Sequence, residues 1–271
     1  MHVATLPIMA RLEFPDYLRH IEDESARLRA VLADCDPEAR VPGCPNWTAA
    51  DLLAHHGGVL DFWATIIERR PVGPDDLEEP SPPASYAERL ALHEANAARL
   101  VAALGAADPA EPAWTWSTEQ TVGFTFRRQA HEALIHRLDA EQTAGQVTPL
   151  DPALAADGVD ECLDVMFGGA PSWGEFAPLP HFVRVDVTDR DESSWVQIGR
   201  FTGTDPDGEH HDLEDIRVVA APGTEADAVV SGPGPALDAW LWRRGDDSDV
   251  QVSGDRGVYD RFRLAVNHPI N

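Results

Sequence analysis

The spacing of apolar residues changes partway along this chain, and that change limits the fold more than any single motif does. Up to about residue 145 the apolar positions recur every three or four residues, whereas from about His181 they alternate. The first spacing suits helices that bury one stripe, and the second suits strands that bury one face. Residues 15–34 place Leu18, Ile21, Leu28 and Val31 on one helical face. Thr48 with Asp51, and Ser85 with Glu88, have the spacing of capping boxes and predict helices running to about Glu68 and Leu104. A fourth helix is expected from about Gly123 to Thr143, with Gly145 as its stop. Pro37, Pro42 and Pro45, the acidic Pro-rich stretch 71–83, and the segment 105–112 separate these helices. Connections of this kind suggest an antiparallel four-helix bundle.

The junction falls at 146–152, which divides the chain into an all-α domain, 1–145, and an α+β domain, 146–271. One further helix is expected over 152–167. The segments HFVRVDV, SWVQIGRFT, DIRVVAA and DAVVS read as strands, parted by turns at 189–192, 204–208 and 222–224. A short helix at 235–244, a last strand VQVS and a closing helix at 255–266 complete the pattern. The run SGPG at 231–234 fits a strand-to-helix turn better than an anion cradle.

Composition excludes several functions. The formal net charge is −26, which repels phosphate backbones and anionic lipid, so neither nucleic acid nor a membrane surface is expected as a partner. All 21 cationic residues are Arg, so no lysine amine is available for a Schiff base or a Walker-type phosphate loop. With so much Ala, Arg, Asp, Gly and Pro the composition also suggests a GC-rich genome such as an actinobacterial one. The three cysteines, Cys35, Cys44 and Cys162, form no CxxC and suit a reducing cytoplasm rather than a disulfide framework. No run of 18 apolar residues predicts a membrane helix. Residues 1–10 lack a secretory pattern and read as a loose leader, with Met9 as an alternative start. The eight tryptophans are expected as core and domain-contact aromatics.

Chemistry concentrates in RRQAHEALIHRLDAE, the fourth helix. Glu132 and His136 stand one turn apart on one face and can converge on one ion. Asp139 is placed to orient His136 through its second ring nitrogen. On the second helix, Leu52, Val59 and Trp63 share the face of His55, which makes His55 rather than His56 the inward imidazole. Two His and one carboxylate leave a coordination position open and give a divalent ion a residual charge of about +1, which a thiolate would neutralise. The competing reading of an ExxxH pair is a solvated surface pair. His131 diverges from His136, and His93, His210 and His211 read as surface residues.

The segments WTAADLLAHHGGVLDFW (47–63) and RRQAHEALIHRLDAE (127–141) resemble the two hallmark stretches of the mycothiol-dependent maleylpyruvate isomerase family. The stretch VVSGPGPALDAWLWRRGD with VQVSGDRGVYDRF is similar to that family's C-terminal domain. The resemblance implies a DinB-like metal-binding four-helix bundle followed by a sterol-carrier-like α+β domain. It implies a divalent ion, commonly zinc, on His55, Glu132 and His136, with mycothiol as the thiol cofactor. A family arginine near the substrate maps onto Arg244, with Arg243 beside it. The leading expectation is a cytoplasmic enzyme, monomer or homodimer, in which a metal-activated thiolate attacks a small electrophile. Isomerisation of a maleylpyruvate-like acid and S-transfer are the two outcomes. Arg244 and Arg128 would bind a carboxylate, and Arg243 and Arg244 the cofactor. The alternatives are a non-enzymatic protein that binds metal and an apolar ligand, and a metal-dependent hydrolase.

Overall fold

The computed structural model describes residues 10–75, 77, 83–169, 171–268 and 270. The leader with Met9, and much of the acidic loop, lie outside the described residues. The chain separates into two compact units, residues 12–150 and a unit that begins at Asp151.

The first unit contains α1 (Phe14–Ala33), α2 (Ala49–Arg69), α3 (Tyr86–Gly105) and α4 (Val122–Ala144). Both capping boxes form, at Thr48–Asp51 and Ser85–Glu88. Gly145 ends α4 in the left-handed conformation, with φ 67°, where a side chain would strain the backbone. Helix directions follow from the cross-helix bonds. Glu24 meets Arg137 and Arg27 meets Glu141, so α1 and α4 run parallel. His56 meets His93 and Asp61 meets Arg99, so α2 and α3 also run parallel. Trp63 lies by Phe124 and His55 by Glu132, so α2 opposes α4. The alternating antiparallel order suggested by the sequence is therefore corrected: α1 and α4 point one way, α2 and α3 the other. The physical reason is the α2–α3 connection. The 21 residues of α2 rise about 30 Å, and a chain the length of 70–85 can reach about 50 Å, enough to return along the bundle.

α4 is the centre of this unit. Every residue from Val122 to Glu141 is buried except Glu132, which is partly exposed. Such burial would be ruinous for its charged residues without partners. Arg137 supplies one solution: it donates to Glu24 at 2.6 Å and to Glu141 at 3.0 Å. Thr148 N in turn donates to Glu141 at 2.7 Å, tying the segment after α4 to the bundle.

The second unit begins with α5 (Pro152–Glu161), capped by Asp151, and continues as a π-helix over Cys162–Phe167. Its five strands are β1 (Gly174–Val187), β2 (Glu192–Thr204), β3 (His210–Val219), β4 (Ala228–Gly232) and β5 (Gln251–Gly254). They lie in the order β3-β2-β1-β4-β5, with β1 and β4 parallel and the other pairs antiparallel. α6 (Gly234–Leu241) links β4 to the stretch before β5, and α7 (Arg256–Ala265) follows. Val183, Val185, Val196, Ile198, Ile216 and Val230 are buried, as are Leu237 and Phe262 of the helices. β1 starts earlier than the sequence suggests. Its first part contains Pro178 and Pro180, and the β1–β2 register shifts between Pro178 and Phe182, where the ladder is already interrupted. At SGPG the backbone N–H of Gly234 donates to Asp189 Oδ1 at 2.9 Å, so this helix start already holds an internal carboxylate.

No helix among the described residues is long and apolar enough to cross a membrane. Cys35, Cys44 and Cys162 form no disulfide. Trp63, Trp195, Trp240 and Trp242 are buried, while Trp116 departs from the expected core role and is 50% exposed.

Candidate metal centre

α2 and α4 bring the predicted ligands together. His55 reaches across from α2, while Glu132 and His136 share one face of α4, and their ligand atoms lie within 4.8 Å of one another. Glu132 Oε1 is 3.0 Å from His136 Nε2 and 3.4 Å from His55 Nε2. Its other oxygen accepts from Arg128 Nη2 at 2.7 Å. His136 Nδ1 lies 3.0 Å from Asp139 Oδ2. One carboxylate oxygen thus faces both imidazoles, while both the carboxylate and His136 are braced from behind. Trp47, in the loop before α2, packs its ring 4.6 Å from that of His55 and 6.0 Å from that of His136.

The donor set fits a divalent ion. His55 Nε2 is buried and makes no hydrogen bond of acceptable geometry. Two imidazole nitrogens and one carboxylate oxygen are the ligands of many open zinc sites. Burial opposes charge on both partners of the Glu132–His136 pair, but their mutual attraction outweighs it. With His55 and Arg128 also favouring the anion, Glu132 is held well below the usual carboxylate range. With Asp139 adding to the pull, His136 is raised to about 9. In the metal-free protein His136 therefore carries a proton at neutral pH, and an ion would displace it.

Three readings of the sequence need amendment. His93 is not a surface residue: it is 1% exposed, and its Nε2 lies 2.8 Å from His56 Nδ1. His56 is fully buried and does not turn away from the site, since its ring lies 5.9 Å from that of His136. Burial holds both imidazoles neutral; His56 falls well below the ordinary value and His93 falls to about 4. No local signal marks His93, because its partner comes from another helix 37 residues away. Arg128 is 96% buried and is engaged with Glu132. Arg244 is also buried and donates from Nη1 to Trp242 O at 2.8 Å. Arg243 is exposed, with φ 61°. His211 is half-buried against Trp173 and bonds Asp205, while His210 is exposed as expected.

A family model for the mycothiol maleylpyruvate isomerase N-terminal domain matches residues 18–141, and the model for the C-terminal domain of the same family matches 153–261. The chain belongs to the mycothiol-dependent maleylpyruvate isomerase family. This is a family of thiol-dependent isomerases, so the chain is a member of an enzyme class. His55, Glu132 and His136 all fall within the first matched region, and Arg243 and Arg244 within the second. Among solved structures, the mycothiol-dependent maleylpyruvate isomerase is 16% identical, with a TM-score of 0.56 over 92% of this chain and 96% of that one. A variant of that isomerase with one histidine changed to alanine aligns with a TM-score of 0.55 at 16% identity, covering 89% of this chain and 93% of that one. At this identity the likeness concerns the fold. No curated protein sequence matches the chain.

Proposed function

We propose that this member of the maleylpyruvate isomerase family is a metal- and mycothiol-dependent cis–trans isomerase of a small unsaturated acid. The ion, zinc by preference, would be held by His55 Nε2, His136 Nε2 and Glu132 Oε1. When bound, the ion and mycothiol would together supply an activated thiolate as the nucleophile for reversible addition to a conjugated carbon. The residues around them do the positioning. Arg128 occupies Glu132 Oε2, which leaves Oε1 as the ligating atom and keeps the carboxylate from closing the open position. Asp139 accepts from His136 Nδ1–H, so that Nε2 presents its lone pair inward. Trp47 packs its tilted ring against His55 and lies near His136, which limits the movement of the His55 ring.

Arg128, beside Glu132, is assigned to the substrate carboxylate, and within the second unit Arg243 and Arg244 are read as anion-binding cations. On a chain of net charge −26, an anionic substrate needs such local cations. Cys35, Cys44 and Cys162, none of them in a disulfide, suit a reducing cytoplasm as the working compartment. The observation that carries the reading is the convergence of His55, Glu132 and His136 inside a chain matched to this family over both units. Turnover of maleylpyruvate by the zinc-loaded protein tests it. Isomerisation should require mycothiol and disappear in Glu132→Gln. Thiol-independent hydrolysis of an added ester or amide would instead identify a hydroxide-based hydrolase.

A further inference from the structure

Beside the triad sits a second pair of imidazoles that the ion does not need. His56 follows His55 on α2 and is fully buried, and His93 on α3 is 1% exposed. Their rings stack with centroids 5.0 Å apart, and His56 Nδ1 lies 2.8 Å from His93 Nε2. That single bond uses one nitrogen of each ring. His56 Nε2 and His93 Nδ1 remain buried with no hydrogen-bond partner among the described residues. Buried polar atoms are normally paired, and leucine or phenylalanine would fill this space without the penalty. Packing therefore does not account for the pair.

Its location does. The ring of His56 stands edge-on to that of His136, at 5.9 Å and 71°. The titratable neighbours that act on it are His93, His136, Glu132 and His55. Asn96 Nδ2 donates to Gly57 O at 3.0 Å and locks α2 to α3 at this level. We propose that His56 is a binding residue of the same site, whose Nε2–H donates a hydrogen bond to the anion in the ion's open position, a thiolate sulfur. The inference rests on the metal-thiolate reading above. The direction of the internal bond follows: for Nε2 to carry the proton, Nδ1 must accept, so His93 Nε2–H is the donor. His93 is then a positioning residue that fixes the tautomer of His56. Its own Nδ1 is left a bare acceptor.

The cobalt-substituted protein, titrated with 2-mercaptoethanol and followed by its sulfur-to-cobalt charge-transfer band, tests the assignment. All variants should take up one cobalt per chain. His56→Phe should bind the thiol about tenfold more weakly, equivalent to about 1.4 kcal/mol. His93→Leu should weaken it similarly, and His93→Gln, whose amide N–H can replace Nε2–H, should restore most of the affinity. Nitrogen-15 spectra of the zinc-loaded wild type need no variant and should show His56 protonated at Nε2. Unchanged thiol affinity in cobalt-loaded His56→Phe, or a wild-type His56 protonated at Nδ1, overturns the inference and leaves the metal reading standing. A wild type that takes up no cobalt overturns both.

Discussion

Among the described residues, two clusters bring histidine and carboxylate atoms within ligating reach: His55, Glu132 and His136 between α2 and α4, and Asp205, Glu209 and His211 at the β2–β3 turn. They resemble each other in donor types and differ in everything around them. In the turn, Asp205 Oδ1 accepts from Glu209 N at 2.8 Å and Oδ2 meets His211 Nε2 at 2.9 Å, so the carboxylate is already satisfied. Glu209 is exposed to water. Between the helices, Glu132 is the one partly open position in an otherwise buried stretch of α4, and His55 Nε2 has no hydrogen bond. Arg128 and Asp139 brace the ligands from behind. Proximity alone does not make a metal site. Desolvation, an unmet ligand atom and a second layer of fixed partners do.

The sharpest break of this comparison is Glu132→Gln. It removes the only anionic ligand of the helical cluster and should take the metal content from about one ion per chain to near zero, as measured by elemental analysis after dialysis. A weaker effect is expected from Asp139→Asn and Arg128→Gln, which leave all three ligands but loosen them. Each should reduce metal affinity about 10- to 100-fold, measured by competition with a chelator.

The first of these outcomes concerns residues that the sequence already exposes, and the reason is local. Glu132 and His136 are one turn apart, and Asp139 follows within the next, so helical geometry alone aligns them. Thr48 marks where α2 starts, which sets the face of His55. What stays hidden depends on the third dimension. The parallel pairing of α2 with α3 is decided by the length of the 70–85 connection, and only that pairing brings His93 onto His56. The buried ion pairs of α4 are equally opaque: Arg137 finds Glu24 from α1, 113 residues earlier. In the second unit, Pro178 and Pro180 mask the first part of β1 because they disrupt the alternation on which strand recognition depends.

Acidity offers a finer test of the contrast. In the metal-free protein the proton on His136 is bound more tightly folded than unfolded, since the value rises from 6.5 to about 9. Its contribution to stability is fully present below pH 6.5 and is lost as pH rises through about 9. Thermal melts of the metal-free wild type should therefore fall with pH across this window more steeply than those of His136→Phe. Metal uptake should run the opposite way and strengthen as pH rises, with release of a proton seen in a weakly buffered titration. Equal slopes for the two proteins would remove His136 from the account. The smallest effect is expected at the β2–β3 turn. Asp205→Asn should leave metal content unchanged, and any loss of bound ion there would show that the turn, not the helices, holds the metal.

X-ray absorption at the zinc edge, on the stoichiometric complex with and without 2-mercaptoethanol, tests the central claim most directly. The helical site predicts a first shell with two imidazoles at about 2.0–2.1 Å and oxygen at about 2.0–2.2 Å, joined on thiol addition by one sulfur at about 2.3 Å. An oxygen-rich shell with at most one imidazole, unchanged by thiol, would contradict it.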